Sequence, residues 1–290
     1  MANPLTSEAN ESVVVDGRRL FFRRRGSGPV VVLETGASGG GAYGSVPDAI
    51  ARFATVVTYD RAGVANSNPR VGATTIREIA HDLHALLQTH FSDRGVILVG
   101  WSLTGLSALI HPLLYPADVA GVVLIDPTPF DLYDNPRNAG MLANPGRAVA
   151  VQRFLARLGH GKLWGRSTLS RYIENGCGRT PDPHELSAYI DTLVRLPREH
   201  AYPELQNMRT SCDIARQMVR DQPYPDMPLM VLSAEVDTLV SGEAAIAKHR
   251  NHRAIAALSA QGQYMPVAGG SHMMTLDRPD AIVDAVRSLV

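Results

Sequence analysis

The sequence predicts an α/β fold: a mostly parallel sheet flanked by helices and interrupted by a helical insertion. Three observations predict it. Short, β-branched-rich runs alternate with stretches of helical periodicity over residues 1–126. A strand-like run passes abruptly into a helix at Gly100-Trp101-Ser102-Leu103-Thr104-Gly105. Between residues 127 and 227 strand character disappears, and it returns at Leu229. The expected organisation is therefore a core domain in two parts, 1–126 and 228–290, around an insertion at 127–227.

Ser12 to Asp16 and Arg18 to Arg24 flank Asp16-Gly17, a pair that favours a tight hairpin. Val30–Leu33 and Ala54–Tyr59 are short, nearly continuous apolar runs, the pattern of strands buried on both faces of a parallel sheet. Thr75 to His90 reads as a helix, with Ile76, Ile79, Ala80, Leu83, Leu86 and Leu87 on one face and Thr75 with Glu78 as a capping box. Val96–Val99 and Gly121–Ile125 are two further strands. The helix between them should kink or end at Pro112. In the insertion, helical stretches are expected around Ala148–Leu158, Leu169–Glu174 and Glu185–Leu196. Leu229–Leu232 is again strand-like, followed by helix from Ser241, strand over Gln263–Val267, and a last amphipathic helix opened by Asp277 and Pro279.

Composition narrows the functional classes. A hydrophobic content of 45% in 290 residues supports a large core and argues against disorder. Twenty-eight basic residues balance 28 acidic ones, so no net field draws nucleic acid or an anionic membrane. No apolar run is long enough to span a bilayer, and Met1 to Ser12 is polar without a signal pattern, so a cytoplasmic protein is the expectation. Cys177 and Cys212 show neither zinc spacing nor a disulfide framework, and read as ordinary thiols. No metal and no cofactor is expected.

The strand–turn–helix at Ser102 carries the chemistry. Such a turn lifts a serine hydroxyl to the top of the sheet and aims the next backbone N–H at a developing oxyanion. Gly36-Ala37-Ser38-Gly39-Gly40 matches the G-x-S-x-G pattern more literally, yet more glycine follows it, and glycine is a poor start for a helix. Ser38 is better placed to line the site than to attack. The base should be His272, carried by the Ala268-Gly269-Gly270-Ser271 loop after a predicted strand; His81, His84 and His90 sit on a helix, and His160, His184 and His200 belong to the insertion. Asp237 is the favoured orienting acid, because Ser102, Asp237 and His272 follow the nucleophile–acid–base order of one hydrolase class. Asp126 and Glu235 are its rivals. The N–H groups of Leu103 and Ala37 are the candidate oxyanion donors, with Gly36 giving room to turn. No Lys-Ser/Thr pair follows the glycines, which argues against a phosphate cradle.

Taken together, these segments resemble the α/β-hydrolase superfamily nearly end to end. Leu33-Glu34-Thr35-Gly36-Ala37 resembles its oxyanion loop, with Glu34-Thr35 where many members have a His before the glycine. Tyr59-Asp60-Arg61-Ala62-Gly63-Val64-Ala65-Asn66-Ser67 resembles its Y-D-x-x-G-x-G-x-S segment, and 127–227 matches the place of a helical cap. Thr104 and Ala65 stand where the family usually has glycine. The resemblance implies an α/β-hydrolase fold, and a serine in place of aspartate at the elbow points to acyl transfer: a serine hydrolase of a small ester or lactone. A carbon–carbon bond hydrolase, a cyclase or acyltransferase with the same triad, and a receptor-like binder on a hydrolase scaffold are the alternatives. Phe130, Tyr133, Met141, Phe154, Trp164, Tyr172 and Tyr189 in the insertion, with Trp101 and Met273 beside the catalytic residues, suit an apolar or aromatic small-molecule substrate.

Overall fold

The computed structural model describes residues 9–34, 40–134, 166–195, 207–236 and 242–290. Eight strands form one sheet: β1 (Ala9–Val15), β2 (Arg18–Gly26), β3 (Val30–Glu34), β4 (Thr55–Tyr59), β5 (Val96–Trp101), β6 (Val119–Ile125), β7 (Leu229–Ala234) and β8 (Gly262–Val267). Their order is β1-β2-β4-β3-β5-β6-β7-β8, antiparallel over the first two pairings and parallel from there on. The described helices are α1 (Val46–Ile50), α2 (Ile76–His90), α3 (Leu103–Leu114), α4 (Arg166–Gly176), α5 (Pro183–Arg195), α6 (Met208–Asp221), α7 (Glu243–Ala256), α8 (Met274–Asp277) and α9 (Pro279–Arg287).

Local chemistry explains most of these boundaries. Asp16 and Gly17 both take positive φ, 48° and 73°, as a two-residue hairpin between Val15 and Arg18 requires. Thr75 caps α2 through its side chain and closes the box with Glu78, whose Oε2 accepts the Thr75 N–H at 2.7 Å. Pro112 lies inside α3, but only the last two residues of the helix follow it.

Strands β3 to β7 are buried on both faces, whereas the edge strand β8 is largely exposed, and alternation along the inner strands feeds two cores. Val31, Leu33, Val99, Trp101, Val123, Ile125 and Leu232 meet Val46 and Ile50 of α1 and Ile282 and Val286 of α9. Val32, Leu98, Val122, Leu124 and Val231 meet Leu83 and Leu86 of α2, Leu109 of α3 and Ile255 of α7.

Helices α4 to α6 all fall between β6 and β7. The expected helical stretches at Leu169–Glu174 and Glu185–Leu196 correspond to α4 and α5, while Ala148–Leu158 lies outside the described residues. Helix α6 was not expected from the sequence. Its buried Cys212, Ala215 and Met218 pack on Leu103, Leu106 and Ile110 of α3 and on Ile76 of α2. Among the described residues no helix is long and apolar enough to cross a membrane.

Candidate active site

Strand register builds the site. Trp101 of β5 pairs with Ile125 of β6, so the next residues, Ser102 and Asp126, emerge side by side at the carboxyl edge of the sheet. Ile125 pairs in turn with Leu232 of β7, and β7 carries β8, whose following loop brings in His272. That edge is where open α/β sheets place their ligands.

Ser102 occupies a turn that few side chains tolerate, with φ 59° and ψ −121°. The turn is held on both sides: the Ser102 N–H donates to Ile125 O at 3.1 Å, while Ser102 O accepts from Gly105 N and Thr128 N at 3.0 Å each. Gly100 has no room for a side chain, since a Cβ there would lie 2.5 Å from Thr104 O and 2.7 Å from Ala108 Cβ. Thr104, unlike glycine, contributes a hydroxyl. It is fully buried, accepts the Trp101 N–H at 3.2 Å, shares its one proton between Glu34 O at 3.0 Å and Trp101 O at 2.9 Å, and so ties the elbow to the end of β3. A threonine therefore closes this elbow with hydrogen bonds where a glycine would close it by absence of bulk. Leu103 is the first residue of α3, where a helix leaves its N–H without an intrahelical acceptor.

The base loop is clamped against the same strand end. The Trp101 indole N–H donates to His272 O at 2.9 Å, and the Trp101 and His272 rings lie 5.9 Å apart. Trp101 is buried, so its role is to brace this loop. Asp277 holds the loop from below: its Oδ2 accepts Ser271 N at 3.1 Å, the Ser271 hydroxyl at 2.5 Å, and Gly178 N from the insertion at 2.8 Å. Met273 is half-buried beside Gly176 of α4.

The imidazole Nδ1 of His272 lies 2.7 Å from Asp126 Oδ2. Asp126 is buried, and its backbone takes an unusual positive φ of 39° directly after β6. Its other oxygen accepts the Ala234 N–H at 3.0 Å and Lys248 Nζ at 3.1 Å. Burial by itself would raise the carboxyl's pKa; the hydrogen bond and charge of His272, with His252 and then Lys248 adding, outweigh it and hold Asp126 far below the usual range. Glu235, the other rival, spends its carboxylate on the Gly269 N–H at 3.3 Å.

Of the residues expected from sequence, Ser102, Leu103, Trp101, His272 and Met273 come together at this edge. Asp237, Gly36, Ala37 and Ser38 lie outside the described residues. Lys248 and His252 escaped the sequence reading. Their i,i+4 spacing on α7 was the available signal, but only the fold shows which strand end that helix face meets.

A family model described as alpha/beta hydrolase family matches residues 31–285. The chain belongs to this family. No match is found among curated protein sequences. Among solved structures, the hydrolase is similar to Cfl2 from Burkholderia cenocepacia, at 17% identity and TM-score 0.74, covering 99% of this chain and 97% of that one. It is similar to a thermophilic esterase from Thermogutta terrifontis, at 20% identity and TM-score 0.71, with 98% and 97% covered. The enol-lactonase from Burkholderia xenovorans LB400 aligns at 19% identity and TM-score 0.70, with 96% and 99% covered. At such identities the likeness speaks for the fold alone.

Both thiols are free in this hydrolase. Burial pushes Cys177 and Cys212 up to about 12, which leaves neither one a nucleophile at neutral pH.

Proposed function

We propose that this chain is a serine hydrolase of a small carboxylic ester or lactone, working through an acyl-enzyme on Ser102 with His272 as base and Asp126 as orienting acid. The observation that carries the reading is the 2.7 Å contact between His272 Nδ1 and the buried Asp126 carboxylate, set beside a serine held at φ 59°. An imidazole Nδ1–H makes one hydrogen bond, and Asp126 accepts it, which supports assigning the acid role to Asp126 in preference to Asp237.

His272 Nε2 removes the Ser102 proton as Oγ attacks the carbonyl carbon, and the carbonyl oxygen becomes an oxyanion bound by the N–H groups of Leu103 and Ala37. Collapse expels the alcohol, which takes the proton from His272. Water then attacks the acyl carbon with His272 again as base, releasing the acid and restoring Ser102. Asp126 stays ionised throughout and stabilises the imidazolium. No cofactor enters this sequence. Helices α4 and α5 act as a lid over the sheet edge. Two of the structural neighbours are an esterase and an enol-lactonase, the substrate classes proposed.

A fluorophosphonate probe tests the assignment. Peptide mapping should find the label on Ser102 alone and no label in Ser102→Ala, with steady turnover of a chromogenic ester by the unmodified protein. Label on Ser38, or labelling that survives Ser102→Ala, overturns it.

A further inference from the structure

Asp126 is engaged on both of its oxygens. Oδ2 meets His272, while Oδ1 meets Lys248, whose ammonium also donates to Ala234 O at 3.1 Å. Side-chain exposure is 9% for Lys248 and 5% for Asp126, so solvent screens this pair little. Buried lysines are rare, and a buried ion pair is weak evidence of a contribution to stability. Its position suggests another use.

The second candidate cation at Oδ1 is His252, whose Nδ1 is 4.0 Å away. Burial favours its neutral form. His252 Nε2 lies 2.8 Å from Pro127 O, a carbonyl that can only accept, so Nε2 carries the proton. Nδ1 then accepts from the Ser233 hydroxyl at 2.8 Å, and burial pushes the ring's pKa down to about 4. Lys248 is left as the charge across the carboxylate from the imidazole.

We propose that Lys248 is a positioning residue for proton transfer: its ammonium fixes the Asp126 carboxylate and, by opposing positive charge on His272, keeps that imidazole a free base further into acid. The inference rests on the Ser102–His272–Asp126 reading. Two cations separated by little more than one carboxylate, at an effective dielectric of about 20, shift each other's titration by about one to two pH units. Other charged and titratable groups surround the set. Glu235 holds the Gly269 N–H, Asp277 holds Ser271, the Arg179 guanidinium donates to Ala268 O at 3.3 Å, and His249 Nδ1 sits 2.9 Å from the Tyr264 hydroxyl. All of them are common to the parent and to a Lys248 variant, so they cancel in the difference.

Lys248→Gln keeps a donor at this position without the charge, and Lys248→Arg keeps the charge. The imidazole carbon signal of His272, identified by its loss in His272→Gln, is followed by NMR against pH in each protein. The titration midpoint should move up by about one to two pH units in Lys248→Gln and by less than about half a unit in Lys248→Arg. The acid limb of kcat/KM for an uncharged ester should move with it, while the plateau kcat stays within about tenfold. An unmoved midpoint in folded Lys248→Gln overturns the proposal. If Gln does not fold, Lys248→Met carries the same expectation; if neither neutral variant folds, Lys248 is a structural residue and the proposal fails. A moved midpoint in a protein that hydrolyses neither ester nor lactone keeps the coupling of Lys248 to His272 and overturns the proposed function, and with it the part in proton transfer. Ester hydrolysis with an unmoved midpoint does the reverse.

Discussion

Asp126 and Glu34 flank the nucleophile strand β5 on opposite sides, each at or just past the end of a neighbouring strand and each buried. Asp126 is held ionised, whereas burial pushes Glu34 up to about 7, against the opposing pull of Tyr59's hydrogen bond and Arg61's charge. Their partners explain the divergence. Asp126 receives a backbone N–H, an ammonium and an imidazole. The Glu34 carboxyl receives the Tyr59 hydroxyl at 2.5 Å, and the hydroxyls of Tyr43 and Thr104 go to its backbone oxygen at 2.8 and 3.0 Å. Depth alone does not decide the charge of a buried acid; the charge and number of its donors do. On one side of the elbow the protein keeps an anion that can stabilise an imidazolium. On the other it keeps an acid that titrates near neutrality and whose neighbourhood fastens the elbow to β3.

Removing the anion should produce the largest effect. Asp126→Asn keeps the shape, loses the charge and can fix the wrong imidazole tautomer, a change that lowers kcat by about 10⁴ in a well-studied triad. Ester turnover by folded Asp126→Asn should fall by a similar factor, and Asp237→Asn by far less. The opposite ranking would return the acid role to the loop after β7.

Glu34 should instead reveal itself in stability against pH. Its folded pKa, about 7, is above the ordinary value of 4.5, so its contribution is complete below about pH 4.5 and is lost as pH rises towards 7. Glu34→Gln cannot ionise and lacks this loss. Between about pH 4 and pH 8 the stability difference should therefore shift towards the Gln variant by up to about 3 kcal/mol, read from urea unfolding. A difference that does not change with pH would place Glu34 in the same class as Asp126.

Thr104→Gly sharpens the comparison at the elbow itself. It removes the hydroxyl linking Glu34 O to Trp101 O and adds backbone freedom inside α3, so unfolding free energy should drop by about 1–3 kcal/mol. Thr104→Ser should retain most of that stability.

The smallest effect is expected at Ala65, in the loop after β4. Ala65 has φ 44°, a conformation that costs an alanine more than a glycine. Ala65→Gly should leave activity unchanged and raise stability by about 0.5 kcal/mol once the entropy of glycine is subtracted, measurable as a small upward shift of Tm.

Much of this molecule follows from its sequence alone. Apolar alternation and turn chemistry are local, so the strands, the capped helix α2, the Asp16-Gly17 hairpin and the Ser102 turn could be read without coordinates. The segments around Ser102 and His272 were legible because each is short, characteristic and next to a strand. The carboxylate that meets His272 was not. Asp126 and Asp237 both follow strands, and local pattern cannot tell which carboxylate faces His272 Nδ1. That choice depends on the β5–β6–β7 register, on the course of the base loop pinned by Trp101 and Asp277, and on a lysine from α7 arriving beside the carboxylate. Nor did helix periodicity place α6 against α3, because amphipathicity specifies a buried face without naming its partner. Local periodicity determined the elements and put Ser102 and His272 beside strand ends; the buried, ionised carboxylate that meets His272 came only from contacts between residues more than a hundred positions apart, which tertiary packing alone brings together.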